Sequence, residues 1–446
     1  MNENIYLLSL GCARNLVDSE VILGILKDNN YNITYDINNC DVVILSTCVF
    51  IKEAKEESIE YLLDIVRLKE EGKIKKIIVT GCFCQRYPEA LKKEIPQIDA
   101  IIGFDRYPDI HKAVRLVLSG RKLLWVTKKP SFIYDDKLPR VLLSPPHFAY
   151  VKISEGCSHS CSFCVIPGIK GRLRSRPIDS ILREIENLTS KGVKEIILIG
   201  QDTTAYGVDI YKKPHLARLL KEISEAGKMK WLRLLYGHPA YFNDAVISCY
   251  EKYDKICRYI DLPLQHINNK VLRLMGRPQK TKDIIKLIKE IRRRIPGSAI
   301  RTSFIVGFPR ETEKNFQELI DFIKEIKFER LGVFKYSKEE DTPAYSYKGQ
   351  IPEKKKEARY EELMLIQQDI SRKINSQFLN KRLKVIIDKK IEGEPGQYLG
   401  RTEYDAPDVD GQVYIKSDNP RIKPGTIIKV LVKDTYEYDL VADHVK

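Results

Sequence analysis

The sequence predicts an α/β protein of three parts: an N-terminal parallel-sheet α/β domain, a partial (β/α)6 barrel, and a small C-terminal all-β barrel. Three observations carry this. Through residues 1–140, short β-branched runs alternate with amphipathic stretches, the pattern of βαβ units on a parallel sheet. Six more strand-then-helix repeats fill residues 141–378, as in a full or partial (β/α) barrel. From residue 379 the strands shorten, and Gly, Pro and Asp separate them with no helix between, which marks a small barrel.

In the first part, strands are expected at residues 5–9, 41–45, 76–79 and 100–102, with an amphipathic helix over 51–69. Pro139 and the run Ser144-Pro145-Pro146 break the pattern and predict a linker. Barrel strands are expected at 149–153, 195–199, 231–235, 259–262, 299–306 and 331–336, with helices such as 180–190 and 282–295 between them. A charged helix over 353–378 leads to short strands at 383–387, 413–415 and 426–432.

The 446 residues correspond to about three domains at roughly 150 residues each. A content of 43% hydrophobic residues excludes global disorder. No basic, then apolar, leader opens the chain, and no window approaches the ~20 apolar residues of a membrane helix. A cytoplasmic protein without a membrane segment is therefore expected. In that reducing compartment its ten cysteines point away from disulfides and toward metal or cluster ligation, catalysis or burial.

The net charge is +15, which taken whole suggests an anionic partner. Its location narrows this. Residues 1–140 hold 21 basic and 20 acidic residues, and residues 381–446 hold 12 of each. The excess lies in the middle part, in Lys170-Gly-Arg172-Leu-Arg174-Ser-Arg176 and in 270–301, where 11 basic residues face 2 acidic ones. The first of these can hold a carboxylate or can be an ordinary solvated loop.

The strongest local signal is Cys157-Ser-His-Ser-Cys161-Ser-Phe-Cys164, just past the first barrel strand, where such barrels build their sites. Three thiolates on one short loop suit a [4Fe–4S] cluster with one iron left open. Zinc completed by His159, and plain buried thiols, are the competing readings. A second set is Cys12, Cys48 and Cys82, each three residues past an expected strand. On a parallel sheet they would converge at one carboxyl edge; the competing reading is three small buried side chains. Cys84 has the wrong offset to replace Cys82, and Cys40, Cys249 and Cys257 read as structural.

The C-x3-C-x2-C motif with its aromatic Phe163 resembles the radical S-adenosylmethionine enzymes. With the second cysteine set and the C-terminal barrel, the whole chain resembles the methylthiotransferases. The resemblance implies an N-terminal methylthiotransferase domain (1–140), a radical SAM domain (141–378) and a TRAM domain (379–446). It also implies two [4Fe–4S] clusters as cofactors, with S-adenosyl-L-methionine. One cofactor molecule would methylate sulfur held at the N-terminal cluster. A second would be cleaved at the other cluster to a 5′-deoxyadenosyl radical, which takes a hydrogen from the substrate. No side chain is expected as a catalytic base, because hydrogen abstraction by a carbon radical needs none.

Within that family, Ser9-Leu-Gly-Cys-Ala-Arg-Asn-Leu-Val-Asp-Ser-Glu20 resembles the RimO type, as do Glu155–Pro167 and Gly400-Arg-Thr-Glu-Tyr-Asp-Ala-Pro-Asp-Val-Asp-Gly411. Ala13-Arg14 stands where Pro-Lys is expected, without altering a ligand. The RimO type implies as substrate the β-carbon of an aspartate in a small-subunit ribosomal protein. It further implies an electron donor such as flavodoxin or ferredoxin, and a sulfur donor that the sequence does not identify. The alternative is the MiaB type, which methylthiolates an adenosine of tRNA. A neutral C-terminal domain favours the protein substrate, since an RNA-phosphate binder should be basic. Its acidic loop, with Glu403, Asp405, Asp408 and Asp410, suits a basic ribosomal protein, or is merely solvated.

At the barrel mouth, Gln201-Asp202-Thr203, Tyr236-Gly-His238-Pro, Gln265-His266 and Gly307-Phe-Pro309 follow successive strands. The resemblance implies that Gln201 and the segment 305–309, with Ile305 and Val306, lie near S-adenosylmethionine. Gln265 would then reach its ribose or methionine part. Each polar side chain can instead cap the helix that follows. His238 and His266 read as structural or orienting groups.

Overall fold

The computed structural model describes residues 3–49 and 51–445. It forms two compact units, one of Met1–Leu143, Tyr150–His159 and Cys164–Glu184, the other of Ser144–Ala149, Ser160–Phe163 and Ile185–Lys446.

The first unit is built on a six-stranded, all-parallel sheet. Its strands, in spatial order, are Asn32–Thr34, Asn4–Ser9, Val42–Thr47, Lys76–Gly81, Ala100–Ile102 and Leu123–Trp125. The four expected strands form its centre. The two edge strands have only three residues each and no apolar run long enough to announce them. Val42, Val43, Ile44 and Leu45 are fully buried, as strands covered on both faces must be.

Residues 150–159 and 164–184 cluster with this unit, and buried ion pairs join them to it. The Arg140 guanidinium donates to Glu20 (Nε, 2.8 Å) and to Glu184 (2.7 Å), and Arg176 donates to Glu184 at 2.5 Å. Lys152 pairs with Asp18, and with Glu155 at 2.6 Å. Unpaired charge is too costly to bury, so these pairs hold the segment where they are made.

The second unit contains parallel strands Glu195–Ile199 and Trp231–Leu234, then Tyr259–Asp261, Ala299–Val306 and Arg330–Lys335. A parallel bridge between Leu232 and Ile256 links the two groups. The amides of Lys194 and Glu195 donate to the His147 carbonyl at the head of Phe148–Lys152, so all six expected strands are present. In the helix Thr281–Arg294, Ile284, Ile288 and Ile291 are buried, a helical stripe facing the sheet.

The C-terminal barrel is closed and has five strands, Arg382–Lys390, Gln397–Thr402, Val413–Lys416, Leu440–Val445 and Ile427–Thr435 in spatial order. Alternate residues such as Val385 and Ile387, Val413 and Ile415, and Val430 and Val432 fill it, the period of two that a strand imposes. Gln397–Thr402 and Leu440–Val445 carry no such pattern in sequence that would mark them as strands. Among the described residues, no helix is long and apolar enough to cross a membrane.

Buried charge also ties this barrel to the rest of the second unit. Glu195 accepts from Arg233 (2.7 Å) and Arg401 (2.8 Å), and Arg401 continues to Asp388 (2.8 Å). These arginines outweigh burial and hold the Glu195 carboxyl below the usual glutamate range. Replacing Glu195 by Gln leaves two buried guanidiniums short of charge, an expected loss of about 3–5 kcal/mol. A carboxyl held low stabilises the fold above its unfolded-state value of about 4.3, and that contribution is lost as pH falls through the lower folded-state value. Urea denaturation across a pH series should therefore show the gap between wild type and Glu195→Gln narrowing below about pH 4.

Candidate metal centre: two sets of three cysteines

The first set is made by sheet register. Ser9 pairs with Ser46, Ser46 with Thr80, and Thr47 with Gly81, so three neighbouring strands end level. Each chain then turns. Gly11, at φ +88°, precedes Cys12, which stands at the N-cap of the helix Ala13–Asp28. Gly81, at φ +92°, precedes Cys82, the first residue of a short helix. A Cβ on Gly11 would stand 2.7 Å from Cys48 Cβ and 2.9 Å from its Sγ, and one on Gly81 only 2.4 Å from the Thr47 carbonyl oxygen. Both positions need glycine for the turn and for the closeness of the strands. The Cys48 amide donates to Ser58 Oγ at 3.1 Å, and that hydroxyl donates back to the Cys48 carbonyl at 2.9 Å.

The three sulfurs feel one another. Burial pushes Cys82 up to about 12; the Lys170 charge opposes this, and Cys48 and Cys12 add to it. At Cys12 burial also works to raise the value, but Arg14, the amides of Asn15 and Arg14, and Lys170 outweigh it, leaving the thiol below its ordinary value. Three partly exposed thiols outside any disulfide on adjacent strand ends, one favoured as thiolate at a helix N-terminus, are a donor set that fits a cluster with one open iron. Cys84 is fully buried beside Thr47 and its thiol is raised, which keeps it out of the set. Cys40, Cys249 and Cys257 are buried too.

Cys157, Cys161 and Cys164 likewise form no disulfide and are partly exposed on their loop. In the first unit, Gly156 (φ +75°) lies so close to Arg172 that a Cβ would meet its carbonyl oxygen at 2.2 Å, and the Cys157 amide donates to the Gly171 carbonyl at 3.1 Å. In the second unit, Ser162 donates to the Met275 carbonyl through its amide (2.9 Å) and to the Leu274 carbonyl through its hydroxyl (2.7 Å). Arg277 Nη1 lies 3.9 Å from Cys161 Sγ and Nη2 donates to the Pro263 carbonyl at 2.7 Å. Nothing in the sequence marked Arg277, because its approach to the sulfur depends on the turn at Gly276. The aromatic of the motif, Phe163, packs edge-on to Phe308 with centroids 6.4 Å apart, in a cluster with Ile305, Met275 and Tyr336.

At the carboxyl ends of the second unit's strands, Gln265 takes φ +71°; its amide donates to the Ser303 carbonyl (2.7 Å) and its carbonyl accepts from Ile305 (2.8 Å). That draws Gln265 to the strand holding Ile305 and Val306, both buried. Gln201 follows the strand Glu195–Ile199 and is partly exposed. Asp202 is buried, accepting from the amides of Thr204 (2.9 Å) and Ala205 (3.2 Å). His266 is buried with Nδ1 accepting from the Asn268 amide at 3.0 Å, an orienting role.

The acidic loop departs from expectation. Asp405 is buried and accepts from Arg330 at 2.9 Å, and the Asp410 side chain accepts from the Tyr259 hydroxyl at 2.6 Å beside Arg301 at 3.4 Å. The Glu403 carboxylate accepts from the Arg258 amide at 3.1 Å. Glu195, Tyr259 and Arg330 begin their strands, so this loop sits on the amino ends of the barrel strands, opposite the end where such barrels build sites. Asp405 and Asp410 are each engaged by a partly buried arginine of this chain, whereas Asp408 is exposed. The basic loop divides similarly. Lys170 and Arg176 are buried in ion pairs with Asp18 and Glu184, and Arg172 is exposed.

A parallel-stranded barrel carrying C-x3-C-x2-C after its first strand, an α/β unit with three converging thiols and a closed C-terminal barrel define a radical SAM enzyme with a second candidate cluster site. Residues 151–323 match the radical SAM superfamily, residues 4–103 match the uncharacterized protein family UPF0004, and residues 381–445 match the TRAM domain. The chain is 46% identical over 445 residues to the ribosomal protein uS12 methylthiotransferase RimO of Pelotomaculum thermopropionicum, covering 100% of both. It is 43% identical to that of Clostridioides difficile, covering 98% of this chain and 97% of the relative. The chain belongs to the RimO methylthiotransferase family, and the tRNA-modifying alternative is not favoured. In fold it is similar to the radical S-adenosylmethionine methyltransferase TsrM of Kitasatospora setae, at TM-score 0.54 and 16% identity over 85% of this chain and 77% of that one.

Accessibility separates the cysteines experimentally. Brief alkylation of metal-free folded protein, read by peptide mass spectrometry, should modify the six cysteines of the two sets and spare Cys40, Cys84, Cys249 and Cys257 until denaturant is added. At pH 7 Cys12 should react faster than Cys82, since the thiolate is the nucleophile and only Cys12 is shifted toward it.

Proposed function

We propose that this chain places a methylthio group on the β-carbon of an aspartate in the small-subunit ribosomal protein uS12. The observation that carries this is the full-length identity of 46% to uS12 methylthiotransferases; the two sets of three partly exposed thiols, none in a disulfide, support it. Cys157, Cys161 and Cys164 would hold one [4Fe–4S] cluster and Cys12, Cys48 and Cys82 a second. Bound there, S-adenosylmethionine would supply the methyl group and, on receiving an electron from a cluster, the carbon-centred oxidant that insertion at an unactivated C–H bond requires.

The chain's own residues bind, orient and exclude water. Gln201, Gln265, Ile305 and Val306 are assigned to S-adenosylmethionine. Gln265 supports this through its backbone bonds to Ser303 and Ile305, which fix that edge in advance. Phe163 of the cysteine motif packs with Phe308 and Tyr336 in an apolar cluster, which would keep water from a reactive carbon centre. Asp408 is the one carboxylate of the predicted three that a basic partner can reach. A cytoplasmic location, a flavodoxin- or ferredoxin-type reductant and a separate sulfur donor belong to the same proposal.

Mass spectrometry of ribosomal proteins from a deletion strain should show uS12 without its methylthio group, restored by the wild-type gene; a uS12 that keeps the group refutes the reading. Anaerobically reconstituted protein should carry about eight irons per chain, as two cubes require. Cys157→Ala should fall to about half that content and lose reductive cleavage of S-adenosylmethionine, while the N-terminal centre stays loaded.

A further inference from the structure

Behind the N-terminal cysteines lies a buried group of four charges: Asp18, Lys152, Glu155 and Lys170, none more than 5% exposed. Lys170 Nζ lies 3.2 Å from Asp18 Oδ2, 3.6 Å from Glu155 Oε1 and 3.5 Å from the centroid of the Phe104 ring. The helix Ile166–Lys170 that delivers it packs on Cys82–Arg86, whose first residue is one of the three cysteines. Asp18 sits on the helix that Cys12 caps. Lys170 thus brings its ammonium, and Glu155 a carboxylate 3.6 Å from it, against the helix that Cys82 begins. A buried ion pair is not needed for stability, since apolar residues of the same volume usually serve as well or better. The placement of this one beside the thiols calls for a reason of its own.

We propose that Lys170 is a positioning residue for the N-terminal centre: its ammonium, fixed by Asp18 and Glu155 over Phe104, favours the electron-rich state of an iron–sulfur cluster on Cys12, Cys48 and Cys82. This rests on the reading of that triad as a cluster site. A [4Fe–4S] core on three thiolates is anionic and gains a further negative charge on reduction, so a nearby fixed cation raises its potential and a nearby fixed anion lowers it. Lys170 and Glu155 therefore act with opposite signs on one observable, which packing alone does not produce.

The test uses the full chain with Cys157, Cys161 and Cys164 all changed to Ala, leaving a single centre, and follows its reduction by EPR-monitored potentiometry. Lys170→Met should move the potential negative by about a tenfold change in the reduction equilibrium, ~59 mV for one electron. Glu155→Gln should move it positive, and Lys170→Arg should stay near the parent. Loss of iron in Lys170→Met with normal loading in Lys170→Arg is the same charge dependence at its extreme and supports the proposal. Unchanged potentials, shifts of the same sign in Lys170→Met and Glu155→Gln, or equal iron loss in the Met and Arg variants overturn it. A parent that takes up no iron overturns the two-cluster reading and this inference with it.

Discussion

Most of the lysines and arginines buried among the described residues meet a carboxylate, and those pairs hold together segments remote in sequence within each unit. In the first unit Glu20, Glu184 and Asp18 gather Arg140, Arg176, Lys152 and Lys170, and so bind the stretch following the first barrel strand to the N-terminal sheet. In the second, Glu195, Asp388, Asp405 and Asp410 receive Arg233, Arg401, Arg330 and Arg301. Burial makes each pair obligatory, because a lone partner would keep its full desolvation cost. Apolar packing fills the sheets and the barrel; paired charge determines how they are assembled into units.

The cysteine set of the first unit depends on a different economy. A parallel sheet delivers side chains to one edge only when neighbouring strands stop in register, and Ser9, Ser46 and Thr80 do so. The glycines at 11 and 81 then let the backbones approach more closely than any side chain would allow. Three thiols become neighbours through backbone geometry rather than through a binding loop. The second set is the reverse: its spacing is local, and the surrounding chain anchors the backbone at Gly156 and Ser162. One set is therefore a product of tertiary register and the other of a sequence motif, although both offer three thiols to the clusters proposed for them.

The charge of +15 acquires a sharper meaning in this light. Part of the basic excess of the middle region is spent internally, on Lys170, Arg176, Arg233, Arg301 and Arg330, and does not form a surface for phosphate. The acidic loop of the C-terminal barrel is its counterpart. Composition registers both as surface signals because it cannot distinguish a solvated charge from a paired one.

The sequence by itself determined the fold class, the six barrel strands and the four central strands of the first sheet, and it supplied the two groups of three cysteines proposed as ligands. These follow from hydrophobic periodicity and short-range spacing, which are local properties. The edge strands Asn32–Thr34 and Leu123–Trp125 and the barrel strands Gln397–Thr402 and Leu440–Val445 were illegible. Their conformation comes from neighbours that supply hydrogen bonds and cover, and their own side chains carry little pattern. Only the tertiary structure decided that Asp405 and Asp410 face inward, that Arg277 reaches Cys161 and that Lys170 stands behind Cys12 and Cys82. Each of these depends on a partner remote in sequence, and the sign and reach of a charge are settled by what it is buried against.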